Sequence, residues 1–193
     1  MAEPSWDHAA DVVVVGAGAT GMPAAIAARE AGASVIVVEA ERDIGGHAIL
    51  TSGNVALGGG TSVQRAHGID DSPDLLFRDL TDWSIVQSNG APDYRYNDRA
   101  IARAFADRSA AAYEWLVARG VGFIDQPPGS HGQISAGNSA PRILQTAARD
   151  WPRMQTGRPV DAAVGATTAS GVGLMRPLET AAKHAGVRIL LEH

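Results

Sequence analysis

The sequence predicts an α/β fold, a central and mostly parallel sheet that begins with a βαβ unit at residues 11–39. Three observations point there. Val12 to Val15 form a short β-branched run; Gly16, Gly18 and Gly21 follow in G-x-G-x-x-G spacing and lead into an alanine-rich helical stretch; and a second β-branched run, Val35 to Val38, closes on Glu39 after Gly32 has ended the helix. Strands that alternate with helices in this way belong to parallel sheets.

Each part has a physical reason. An unbroken valine run reads as a strand buried on both faces, the usual state of a central parallel strand. Gly16 permits the tight turn off that strand. Gly18 lets a pyrophosphate approach backbone that a Cβ would shield, and Gly21 lets the helix pack closely on the sheet. The helix N-terminus offers free N–H groups and partial positive charge. Pro23 belongs in the first helical turn, where its missing N–H costs nothing. Glu39 can accept hydrogen bonds from ribose hydroxyls and would repel a 2′-phosphate, which disfavours NADP. These residues make the fold Rossmann-like.

The whole chain sets bounds. Its 193 residues are 45% hydrophobic and 19% charged, enough for one domain with a sizeable core. A net charge of −5 gives no basic face for nucleic acid or anionic membrane. Without cysteine there are no disulfides, thiolate metal sites or thiol catalysis, which fits a cytoplasmic protein. The six histidines show no metal-ligand spacing, and no apolar run reaches membrane-spanning length.

Beyond Glu39, residues 40–71 are rich in glycine and small polar residues and read as a functional loop. Ser72-Pro73-Asp74 is a cap, a first-turn proline and a dipole-favoured acid. With Leu76, Leu80 and Trp83 it predicts a helix from 73 to about 86. The segment QSNGAPDY reads as a turn. A longer helix is expected from an Asn97 cap through Arg119, with Ile101, Phe105, Ala112, Trp115 and Leu116 as its apolar stripe and Gly120 as its stop. Val121–Ile124 is a strand candidate, and residues 125–172 read mostly as loop. Leu174–Ala185 returns to helical spacing before a last strand at Val187–Leu191.

From Gly45-Gly46 onward the chain has features that a plain NAD-binding domain does not need. Glu39, Gly45-Gly46, the small polar residues after them, Gly58-Gly59-Gly60, and Ser170-Gly171-Val172-Gly173-Leu174 with GVRIL behind it resemble the fumarate reductase/succinate dehydrogenase group of flavoproteins, which includes 3-ketosteroid dehydrogenases. The resemblance implies a glutathione-reductase-type FAD-binding domain. It puts the pyrophosphate on Gly16, Ala17, Gly18, Ala19, Thr20 and Gly21, and the adenosine ribose on Glu39 with Ala40 beside it. Gly45, Gly46, His47 and Ala48, then Thr51, Ser52, Gly53 and Asn54, would line the ribityl chain and isoalloxazine.

The resemblance divides the chain into the βαβ unit 11–39, a flavin-contacting loop 40–71, a helical and loop region 72–172 and a final helix–strand 173–193. It also implies that the FAD-binding domain is incomplete at its C-terminus, because members of the group are much longer. Its relatives carry either a covalent flavin at the position of His47 or a non-covalent one; non-covalent FAD is the expectation here. His131 and Arg142 are the candidate catalytic residues, as acid–base group and carboxylate clamp, against readings as a solvated loop histidine and a structural arginine.

The implied activity is hydride transfer between flavin N5 and a carbon next to a carbonyl or carboxylate of a small-molecule substrate. A second polypeptide would complete the fold. An NAD-binding dehydrogenase domain and a non-catalytic nucleotide-binding subunit are the alternatives.

Overall fold

The structure, a computed structural model, describes residues 6–81, 98–129, 139–148 and 170–193. Trp83, the QSNGAPDY turn, Asn97 and His131 lie outside these residues. The chain divides into two compact units. The first comprises Met1–Gly53, Arg119–Gly122 and Thr146–His193, and the second comprises Asn54–Ala118 and Phe123–Gln145.

The first unit is α/β. Strand β1 (Val12–Val15), helix α1 (Gly21–Glu30) and strand β2 (Val35–Glu39) form the expected βαβ unit. A 3-10 turn follows at Ala48–Leu50. Helix α5 (Val172–Ala185) and strand β5 (Arg188–Leu191) return to the same sheet, whose order is β1-β2-β5 and whose pairings are all parallel. Helices α1 and α5 pack together through the buried Met22, Ala25, Ile26, Met175, Leu178 and Ala182. Of these, Met22, Ile26, Met175 and Leu178 contribute about 1.5–3 kcal/mol each by full burial.

The strand order corrects one expectation. The central strand is β2, where Val35, Ile36 and Val37 are buried, and β1 is an edge of the described sheet. Val12 and Val14 are half-buried on the α1 side, whereas Val13 is 57% and Val15 85% exposed. A valine run shows only that a strand is suited to burial on both faces; its neighbours decide whether it is buried.

The second unit holds β3 (Asn54–Ala56), α2 (Ser62–Ala66), α3 (Pro73–Thr81), α4 (Arg99–Ala118) and β4 (Ile143–Gln145). Strands β3 and β4 pair antiparallel, and Leu57, Tyr113 and Leu144 form the core with Val55, Val63, Leu116 and Phe123 around it. Helix α2 has a full capping box, Thr61 with Gln64. That signature stood in a stretch read as loop. Ser72 caps α3 as expected, its Oγ accepting from the Leu75 N–H at 3.1 Å.

At α4 the described cap is Asp98, whose carboxylate accepts from the N–H groups of Ala100 and Ile101. The buried face of α4 is Ala106, Ser109 and Tyr113, while Ile101, Phe105 and Ala112 are exposed. Of the expected stripe, Trp115 and Leu116 are half-buried and Leu116 packs on the core, whereas its N-terminal part, Ile101 and Phe105 with Ala112, was out of phase. Small residues face inward because the backbone at Gly58 and Gly59 comes close: Ser109 Oγ accepts from the Gly58 N–H at 2.9 Å, and a Cβ on Gly59 would lie 3.3 Å from the Ala106 carbonyl oxygen. In Val121–Ile124 the Gly122 carbonyl accepts from the Ala147 N–H and the Ile124 N–H donates to the Gln145 carbonyl, but the segment is no regular strand.

Candidate functional site

The three motif glycines have three separate reasons in the structure. Gly16 donates its N–H to the Val38 carbonyl at 2.7 Å and then turns with φ at +95°, a conformation that favours glycine. A Cβ on Gly21 would sit 1.9 Å from the Gly16 carbonyl oxygen, so only glycine lets α1 start this close to the strand. Gly18 differs from both. Its φ is not positive, and a Cβ there would meet nothing within 4 Å. Neither positive φ nor a close neighbour in the described chain requires glycine at 18.

That space lies before a helix N-terminus. Among the described residues, the N–H groups of Gly18, Ala19, Thr20 and Gly21 donate to no protein acceptor. The first turn of α1 carries no acidic side chain and Thr20 does not cap it, so no residue of the helix itself offsets its partial positive charge. Pro23 sits in that first turn, as expected. Unpaired N–H groups at a helix start are the kind of feature that binds anions.

Glu39 ends β2 and is 8% exposed. Its carboxylate accepts from the Ala17 N–H at 2.7 Å and the Glu41 N–H at 3.0 Å. A carboxylate has about four acceptor positions. Glu39 thus braces the glycine turn after β1 and keeps acceptor positions beyond these two bonds. Ala40 beside it is exposed.

The next turn docks on the same loop. Gly45 donates its N–H to the Ala17 carbonyl at 2.9 Å, and the Cβ position of Gly46 is 4.0 Å from the Gly18 Cα. Both glycines have positive φ, +109° and +49°. His47 is exposed at the start of the 3-10 turn, and with Gly46 it lines a cleft of about 370 Å³ whose other walls are Glu41 to Ile44, Ile49 and Leu50. Glu41 and Arg42 were not anticipated as lining residues.

Ala48 and Thr51 to Gly53 lie against the start of α5. The Gly171 N–H donates to the Thr51 carbonyl at 3.0 Å, and a Cβ on Gly171 would sit 1.8 Å from the Ala48 carbonyl oxygen. Gly53 packs between Thr146 and Ser170, and Thr146 Oγ1 donates to the Ser170 carbonyl at 2.7 Å. The structure therefore brings Gly16–Gly21, Glu39, Gly45 and Gly46 together, with His47–Gly53 continuing from them. Asn54 belongs to the second unit, where its Oδ1 accepts from Gln145 Nε2.

Arg142 is held by its own unit. It is 7% exposed; Nε and Nη2 donate to the two oxygens of Asp71 at 2.8 Å each, and Nη1 donates to Asp79 at 2.5 Å. This is the structural alternative of the sequence reading rather than a free carboxylate clamp. Burial pushes the Asp71 and Asp79 carboxyls up. The hydrogen bonds from Arg142 and Gly59 to Asp71, and from Ser139 and Arg142 to Asp79, outweigh it, and both are held below the ordinary carboxylate range.

Depressed folded values mean that this contribution is present above the unfolded pKa of about 4 and is lost as pH falls through the folded values. Arg142→Met leaves two buried carboxylates without their cation, at a cost of about 3–5 kcal/mol. Denaturant unfolding at neutral pH should show that loss, and the difference from the parent should narrow as pH falls, because the parent loses this contribution in acid while the variant's buried carboxylates are relieved by protonation. A variant with parental stability at neutral pH would refute this role.

Phosphate loop, acidic strand end and open glycine together define a dinucleotide-binding α/β domain. The chain belongs to the family described as FAD binding domain, which matches residues 11–193, and FAD is the cofactor of that family. The chain is 37% identical over 115 residues to a fumarate reductase (cytochrome) of Shewanella frigidimarina, a match covering 60% of this chain and 18% of that protein. It is 37% identical over 143 residues to a KsdD-like steroid dehydrogenase of Mycolicibacterium smegmatis, covering 69% and 25%. The crystal structure of 3-ketosteroid-delta4-(5alpha)-dehydrogenase from Rhodococcus jostii RHA1 superposes with a TM-score of 0.71 at 30% identity, over 98% of this chain and 39% of that one. The chain thus spans a quarter or less of these two curated relatives.

Proposed function

We propose that the chain is the FAD-holding part of an oxidoreductase that acts on a CH–CH group next to a carbonyl or carboxylate of a small-molecule substrate. The observation that carries the reading is Gly18, open where a Cβ would stand and placed before four uncommitted N–H groups. The likeness to fumarate reductases and steroid dehydrogenases supports the substrate class.

Gly16 to Gly21 hold the pyrophosphate, and Glu39 accepts from the adenosine ribose next to Ala40. Gly45, Gly46, His47 and Ala48, then Thr51, Ser52, Gly53 and Asn54, line the ribityl chain and ring. Bound FAD supplies the two-electron chemistry at its N5. The chain's own part is to hold the dinucleotide on neutral donors, orient it with Glu39 and leave the flavin end accessible beyond the 3-10 turn. A second polypeptide completes the flavoprotein and supplies the proton donor. The absence of cysteine supports a cytoplasmic location.

A visible absorption spectrum of the purified protein tests this, since flavin gives visible bands and NAD gives none. On denaturation the flavin should pass through a size-exclusion filter, and His47→Ala should retain normal flavin content before denaturation. A flavin-bearing peptide containing His47 would establish covalent attachment instead; a colourless protein that binds NAD would remove the FAD reading.

A further inference from the structure

Arg176 lies on the buried face of α5 and is 3% exposed. Its Nη1 and Nη2 donate to Asp43 Oδ1 and Oδ2 at 2.8 and 2.5 Å, and Nη1 also donates to Glu179 at 2.8 Å. Lys183 binds the other oxygen of Glu179 at 2.6 Å from a half-exposed position. Asp43 Oδ1 in addition accepts the Ile44 N–H at 2.8 Å.

This pair is not where α5 gets its anchorage. Met175, Leu178 and Ala182 already bury the helix against α1. A buried ion pair adds little net stability over apolar packing, because desolvation offsets most of its attraction. What it adds is geometry, since a planar guanidinium on a carboxylate fixes distance and orientation together.

The geometry fixed here is that of the turn at 43–46. Gly45 and Gly46 are consecutive left-handed glycines, the backbone least able to determine its own course. One side of the turn is tied to the phosphate loop by the Gly45–Ala17 bond, with Gly46 against Gly18. The other side is tied to α5 by Asp43 and Arg176.

We propose that Arg176 is a positioning residue for the cofactor: acting through Asp43, it sets the Gly45-Gly46 turn against the pyrophosphate loop. The inference rests on the FAD reading above. It assigns Arg176 no contact with the cofactor.

The test compares FAD affinity, the visible circular dichroism of bound flavin and the thermal midpoint of the flavin-free protein. Arg176→Met should weaken FAD binding roughly 10-fold or more and alter the flavin dichroism; it also leaves Asp43 and Glu179 buried without their cation, so the flavin-free midpoint should fall as well. Arg176→Lys should recover part of the affinity. Arg176→Met combined with Asp43→Leu should weaken binding no more than the stronger single variant, because the two act as one unit. Lys183→Met, which touches Glu179 alone, should leave affinity unchanged.

Affinity within about twofold of the parent in Arg176→Met would overturn the inference. If that variant does not fold, parental affinity in both Arg176→Lys and Asp43→Asn overturns it equally. Gly18→Val separates the two readings: full flavin content there removes the FAD placement itself, whereas flavin loss there with parental affinity at Arg176 removes only the role of Arg176.

Discussion

Gly18→Val is expected to abolish flavin loading while leaving the flavin-free protein as stable as the parent. The backbone at 18 does not have positive φ, and an added Cβ meets no protein atom within 4 Å, so a larger residue is not excluded by strain at its Cβ. The valine methyl groups would fill the space before the N–H groups of Gly18 to Gly21, where the pyrophosphate is proposed to lie. Loss of close backbone approach should weaken binding by at least roughly 100-fold, about 2.7 kcal/mol.

Gly21→Ala gives the opposite pattern, because its Cβ would lie 1.9 Å from the Gly16 carbonyl oxygen and the strand–helix junction must separate to admit it. Calorimetry of the flavin-free forms and flavin titration distinguish the two variants. A Gly18→Val protein with parental flavin content, or a Gly21→Ala protein with parental stability, would contradict this division of roles.

Those two glycines also show what the sequence made legible. The β1–α1–β2 unit and its glycines act within a span of 29 residues, where spacing alone orders strand, turn, helix and acidic terminus. Ser72-Pro73-Asp74 and Thr61 with Gln64 are equally local; the first was read as a cap and the second passed over.

The phase of α4 was misread because Ile101 and Phe105 are larger and more apolar than Ala106 and Ser109. Size does not reveal that a glycine backbone comes close and admits only small side chains. Arg176 with Asp43 lies beyond any spacing rule, since 133 residues separate the partners. Arg142 could be a clamp or a strut by sequence, and its pairing with Asp71 and Asp79, 71 and 63 residues away, follows no spacing that the sequence displays. The exposure of β1 depends on strand order, which no run of four valines encodes.

That exposure carries the remaining large prediction. Val13 and Val15 point to the sheet face opposite α1, and by register Val15 lies beside Val38 and Leu190, both half-buried. Among the described residues the far edge of β1 pairs with no strand. An open edge beside an apolar face is a template for association. Covering both valines would contribute roughly 1.5–3 kcal/mol each, and a paired edge adds its hydrogen bonds.

On the function proposed above, the occupant of this edge is the second polypeptide proposed there. Purified flavin-loaded material should therefore run larger than a 193-residue monomer. Val13→Lys with Val15→Lys should shift it towards the monomer while preserving the pairing of β1 with β2, because neither side chain makes that backbone ladder. Light scattering coupled to size exclusion reads both outcomes. A stable, monomeric, flavin-loaded protein of this length that turns over substrate unaided would remove the need for a partner, and an unchanged assembly in the double-lysine variant would place the interface elsewhere.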